Sequence, residues 1–189
     1  MSSSTISAKI WPQTQSNTML RNIGLAVLGS AIVAIAAQVN IPLPVVPLTL
    51  QTLAVLSIGA AYGARLGAAT MALYAVEGAA GLPVFAQMKA GFAVIAGPTG
   101  GYIIGFILAA ALVGYLAEKG WSNSFVKMIA ASLLGAAVLY VPGLVWLHQF
   151  ANGWAQTFEW GITPFIFGDI LKALIAGVGF KAAWSSINK

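Results

Sequence analysis

An all-α membrane protein of six transmembrane helices, with both termini in the cytoplasm, is the architecture this sequence predicts. Three observations carry the prediction. Of 189 residues, 59 % are hydrophobic and only 7 % charged, where ordinary soluble domains are about 25 % charged. The apolar residues fall into runs, several of them long enough at ~1.5 Å per residue to cross a ~30 Å hydrocarbon core. Basic residues also gather on one side of those runs. Outside the spans, Lys9, Arg21, Arg65, Lys119, Lys127, Lys181 and Lys189 stand against Lys89 alone on the other side. By the positive-inside rule the first set is cytoplasmic.

The same composition excludes other classes. The net charge of +5 is explained by membrane orientation, and no basic cluster is interleaved with aromatics, so no nucleic acid is expected as partner. Without cysteine there is neither a disulfide framework nor a thiolate site. One histidine and four scattered carboxylates do not make a standard metal centre. Gly97-Pro98-Thr99-Gly100-Gly101-Tyr102 lacks the Lys-Ser/Thr of a nucleotide loop. No cofactor is therefore expected.

In order, residues 1–19 form a polar tail, 20–183 a single membrane domain, and 184–189 a cytoplasmic tail. The lead is rich in Ser, Thr, Gln and Asn, with Trp11 its one interface candidate. Asn22–Val39 is the first span. Ala34-Ile35-Ala36 imitates a signal-peptidase site, but the polar lead is long for an n-region, so the helix is read as retained. Ala26, Ser30 and Ala34 share one face of small residues, which permits close approach of another helix. That face suits packing inside the bundle or docking to a partner membrane protein.

Asn40–Pro47 follows, with Pro42, Pro44 and Pro47 forbidding helix in an almost wholly apolar loop. Such a segment suits a lid over a pocket, or a re-entrant stretch buried in protein. Leu48–Tyr62 is a short second helix carrying Gln51 and Thr52 in its first turn. Gly63–Gly67 turns the chain, and Ala68–Gly78, with Tyr74 and Glu77, is a third short helix. Gly78–Gly100 is irregular, glycine-rich and contains Lys89. Thr99–Ala117 and Phe125–Gln149 are the next spans, separated by the polar turn Glu118–Ser124. Asn152–Thr163 is irregular again, with Trp154 and Trp160, and Gly161–Phe180 is the last apolar run.

That last run contains Asp169 and Lys172, which at i and i+3 lie on one helix face. Each costs roughly 2.5–3.5 kcal/mol near the bilayer centre by insertion scales, so the pair must face protein or a cavity. The three irregular segments are external. Counted from Pro164, Asp169 lies five residues into its span, or roughly 8 Å down. A shallow pocket open to the exterior fits, with Phe85, Tyr102, Trp154 and Trp160 as candidate walls and Gln51 and Tyr74 as neutral hydrogen-bonding groups. Mostly apolar linings with a few placed polar groups suit an amphipathic small molecule. Two other readings stand beside this one. Asp169 can serve as general acid/base of an integral-membrane enzyme, or the pair can only pin helices in a small channel or structural protein.

Four stretches in order carry a family likeness: Pro44-Val45-Val46-Pro47-Leu48-Thr49-Leu50-Gln51; Tyr74 with Gly81-Leu82-Pro83-Val84-Phe85; Gly97 to Tyr102 with Gly105-Phe106; and Gly168-Asp169 with Lys172. Together they resemble the BioY family, biotin-binding S components of energy-coupling factor (ECF) transporters, from about Leu20 to Phe180. The resemblance implies the six-helix S-component fold, multi-pass residence in a bacterial-type plasma membrane, and high-affinity capture of biotin from outside as transported substrate. Its implied partners are a transmembrane coupling protein, two ATPase subunits and the surrounding lipids. Pro44, Val46 and Pro47 would belong to the lid. Asp169 and Lys172 would meet the ureido ring, and Lys172 or Lys89 the biotin carboxylate. The Ala26-xxx-Ser30-xxx-Ala34 run would be a softened form of the docking motif for the coupling protein. Glu77 is unexpected beside such a pocket.

Overall fold

Residues 5–10 and 18–187 are described by the computed structural model; Trp11 and Lys189 lie outside the described residues. In chain order these residues form α1 (Ile6–Ile10), α2 (Thr18–Gln38), the strands β1 (Asn40–Ile41) and β2 (Leu48–Thr49), α3 (Gln51–Tyr62), α4 (Ala64–Ala79), α5 (Phe92–Ala96), α6 (Gly100–Glu118), α7 (Phe125–Leu147), α8 (Trp154–Gly161) and α9 (Ile166–Ile187). Helix dominates because lipid offers the backbone no hydrogen-bond partner, so each span must satisfy its own N–H and C=O groups. By length and hydropathy α2, α6 and α7 each suffice to cross a membrane, and α8 with α9, bent by 41°, forms a further candidate span. The 12 residues of α3 and 16 of α4 are the two short helices expected from the sequence. The outward faces are apolar, as Ile104, Leu108, Val141, Val145, Leu171 and Val178 illustrate.

Glycine brings the helices of the centre into backbone contact. A Cβ on Gly59 of α3 would stand 2.6 Å from the carbonyl oxygen of Ala110 on α6, and one on Gly67 of α4 would stand 3.0 Å from the Gly59 Cα. A Cβ on Gly114 of α6 would collide with the Ala64 nitrogen at the start of α4. Where lipid is as apolar as leucine, such close packing is a main source of helix association.

The reversal between α3 and α4 is tighter than expected. Gly63 alone makes it, at φ 87°, and α4 begins at Ala64 rather than Ala68. Glu118 at the end of α6 accepts from the Ala64 N–H at 2.9 Å, a carboxylate placed where the helix dipole favours it. Residues 5–10 of the lead also pack on the bundle. Thr5 is buried, Ile6 packs on the core, and Arg21 Nη2 donates to the Ser7 carbonyl at 3.1 Å. At the other terminus α9 runs on to Ile187, with Trp184 Nε1 donating to Ser122 Oγ at 3.3 Å.

At the opposite end of the bundle, the proline-rich loop is not helical, as expected. It hangs from a two-stranded antiparallel ribbon, Asn40 opposite Thr49 and Ile41 opposite Leu48. The Leu50 N–H donates to the Val39 carbonyl at 3.1 Å, extending the stem by one bond. Residues 42–47 are thereby held in place beside the start of α3 by a stem that short apolar stretches do not announce.

Candidate functional site

A cavity lies beneath that loop. Its ceiling is Val45, Val46 and Pro47; its sides include Phe85, Val94, Tyr102, Ile103, Phe106, Leu139 and Phe165; and Gln51, Thr52, Tyr140, Asp169 and Lys172 supply polar groups. Mouth included, the space measures about 770 Å³, within the roughly 300–1,000 Å³ of small-molecule sites.

The polar groups form one network. Asp169 and Lys172 are only 8 % and 7 % exposed. Lys172 Nζ stands 3.3 Å from Asp169 Oδ1 and donates to Thr52 Oγ1 at 2.7 Å. The Thr52 hydroxyl donates in turn to Asp169 Oδ1 at 3.4 Å, while the Tyr140 hydroxyl donates to Asp169 Oδ2. An ammonium has three N–H donors and each carboxylate oxygen about two acceptor positions. These bonds leave one donor on Lys172 and one acceptor on Asp169 Oδ2, on two residues that both line the cavity.

Several sequence expectations meet here. Asp169, Lys172, Gln51, Tyr102 and Lys89 all line the cavity, as do Val46 and Pro47; Pro44 does not. Lys89 is exposed, which places its charge at the mouth. Tyr102 donates its hydroxyl to the Gly161 carbonyl at 2.8 Å and meets the Tyr140 ring edge-on at 6.3 Å between centroids. Phe85 forms a wall as expected, its ring edge-on to Tyr74.

Tyr74 stands one layer behind the lining. It is fully buried, accepts from Gln51 Nε2 at 2.8 Å and donates to the Val84 carbonyl at 2.9 Å. It holds Gln51 and the loop after α4 rather than facing the cavity. Trp154 and Trp160 are absent from the lining. Trp154 is 49 % exposed and stacks on His148 with ring centroids 4.1 Å apart. His148 Nδ1 lies 3.0 Å from Thr157 Oγ1, so these residues organise α8.

The small-residue face of α2 turns inward. Ser30 is 2 % exposed and donates its hydroxyl to Glu77 Oε2 on α4, with Ala26 and Ala34 partly buried beside it. A partner cannot reach Ser30 without parting α2 from α4, so this residue serves packing inside the bundle. The same bond accounts for Glu77, which serves the α2–α4 contact and is not at the cavity rim.

Thr52 and Tyr140 are the network members missing from the sequence-derived site. The position of Thr52 beside Gln51 was the available signal. Tyr140 has a weaker one: a single hydroxyl in an apolar run, two residues before Pro142 inside α7.

The BioY family model matches residues 7–189. The "Biotin transporter BioY" of Thermotoga maritima is 36 % identical over 159 residues, covering 84 % of this chain and 93 % of that protein. The "Biotin transporter BioY2" of Lactococcus lactis is 35 % identical over 180 residues, 92 % of this chain and 97 % of the relative. A crystal structure described as the S-component for biotin from an ECF-type ABC transporter superposes with a TM-score of 0.79 over 92 % of this chain and 95 % of its own, at 24 % identity. The fold is therefore that of an S component, an all-α multi-pass membrane protein, and the chain belongs to the BioY family.

Proposed function

We propose that this chain is the high-affinity biotin-capture subunit of an ECF-type vitamin uptake transporter, loading from the outside of the plasma membrane. The observation that carries the reading is the Asp169–Lys172–Thr52–Tyr140 network, set in a cavity that is otherwise largely apolar. Biotin's ureido group offers N–H donors and a carbonyl acceptor. These match the unused acceptor on Asp169 and the unused donor on Lys172. The thioether ring and valerate chain suit the apolar walls.

With two Lys172 donors held by Asp169 and Thr52 and the third given to the ureido carbonyl, the carboxylate falls to Lys89 at the mouth. Residues 42–47 act as the lid, stiffened by Pro42, Pro44 and Pro47 and turning Val46 and Pro47 to the cavity. No nucleotide motif is present in the sequence, so energy comes from a coupling membrane protein and two ATPases docked on the cytoplasmic side. The biotin-transporter names of the relatives and the S-component fold support this reading. The positive-inside charge pattern supports the orientation.

Isothermal titration of the purified chain in detergent tests it. Saturable, one-to-one biotin binding without ATP is expected. Binding no better than that of an unrelated membrane protein would overturn the reading.

A further inference from the structure

Lys89 is carried by a backbone that needs support. Gln87 and Met88, immediately before it, both adopt the left-handed region at φ 61° and 57°. Residues with a Cβ avoid that region, and two in succession are rarer still. A loop of this kind persists only where its surroundings hold it.

The support comes from the outer end of α2. The Gln38 side-chain amide grips both sides of the turn: Nε2 donates to the Phe85 carbonyl at 3.1 Å, and Oε1 accepts from the Met88 N–H at 3.0 Å. Nε2 also donates to Ala34 O at 3.2 Å, which fixes the amide on its own helix. Phe85 N–H to Lys89 O, at 3.1 Å, closes the turn from within. Gln38 thus sits between two external loops. Its neighbour Val39 accepts from Leu50 at the stem of the proline-rich loop, while its side chain holds the loop that carries Lys89.

We propose that Gln38 is a positioning residue: it never touches the ligand, but by clamping the left-handed pair Gln87–Met88 it holds Lys89 at the cavity mouth to receive an anionic tail. This rests on the reading of Lys89 as the carboxylate partner. A merely structural role for Gln38 would weaken every ligand alike. A positioning role weakens only ligands whose tail is charged.

The test compares biotin with biotin methyl ester, whose head group is the same and whose tail is neutral, by titration calorimetry in detergent. Wild-type protein is expected to prefer the acid. Gln38→Ala and Lys89→Ala should each weaken acid binding by about tenfold, the scale of one charge-assisted hydrogen bond, and ester binding by less than about twofold. The double variant should bind the acid no worse than Lys89→Ala alone, because both changes remove the same contact. Gln38→Met, which keeps the bulk and loses the amide, repeats the test should the alanine variant fold poorly. Equal losses for acid and ester, additive losses in the double variant, or a Lys89→Ala protein that keeps its preference for the acid each overturn the inference while leaving biotin capture standing. Wild-type protein that binds neither compound overturns both.

Discussion

Tyr140 on α7 donates its hydroxyl to Oδ2 of Asp169 on α9, while Oδ1 faces Lys172 and Thr52. Three elements therefore converge on one carboxylate, and the rotation of Asp169 is fixed from both sides. A buried charge so placed costs little in binding, because its partners are already arranged before a ligand arrives.

Asp169→Asn and Lys172→Ala should each lower biotin affinity by about 100-fold or more, and Tyr140→Phe by about tenfold, given roughly 1.5–3 kcal/mol for a hydrogen bond to a charged group. Lys172→Ala should also unfold more easily, since removing one partner of a buried pair costs about 3–5 kcal/mol. The double variant Asp169→Asn/Lys172→Met should regain stability without regaining binding. Calorimetry and thermal unfolding in detergent separate the two effects; binding that returned along with stability would make the pair structural only.

Ser30 and Glu77 give a stability prediction of their own. Ser30→Ala removes the hydroxyl that faces the Glu77 carboxylate and should cost about 1–3 kcal/mol. Replacing Glu77 by Leu in the same protein should restore most of that loss. Ser30→Trp should lower the yield of folded protein, read as a monodisperse peak in gel filtration. A well-folded Ser30→Trp variant would contradict the inward orientation of this face.

Gly78 lies against the ring of Phe85, and a Cβ there would overlap it. Gly78→Ala should push that ring into the cavity, at about 1–3 kcal/mol for overpacking, with biotin affinity reduced. Phe85→Leu added to Gly78→Ala should recover part of the stability. An unchanged affinity in Gly78→Ala would mean that Phe85 has another place to go.

The natural absence of cysteine makes orientation simple to check. In intact cells a membrane-impermeant maleimide should label Lys89→Cys and be hindered by biotin, while Lys119→Cys should react only after permeabilisation. The reverse pattern would invert the molecule and end the case for capture from outside.

Much of this was legible in the sequence, for identifiable reasons. Helix runs follow from hydropathy, and the short helices α3 and α4 from the glycine and prolines that bound them. The Asp169–Lys172 pair declared itself because charge at membrane depth has few innocent explanations. Tyr140 did not, since only the α7–α9 packing brings it to Asp169, 29 residues away. Trp154 misled because an interface-like tryptophan looks the same whether it lines a cavity or stacks on His148. The Ala26–Ser30–Ala34 stripe shows the matching ambiguity: small residues announce a close approach and not which helix approaches. Gln38 matched no motif, because an amide that clamps a turn 50 residues ahead has no local signature.

Gly59, Gly67 and Gly114 put main chain against main chain, with no side chain between the helices to re-rotamerise. Such seams do not slide by small steps, so three of the rods behave as a single block. Whatever yields when a molecule enters must then lie at the rim, where a two-rung ribbon ties the proline-rich loop. The glutamine's grip keeps the facing side still.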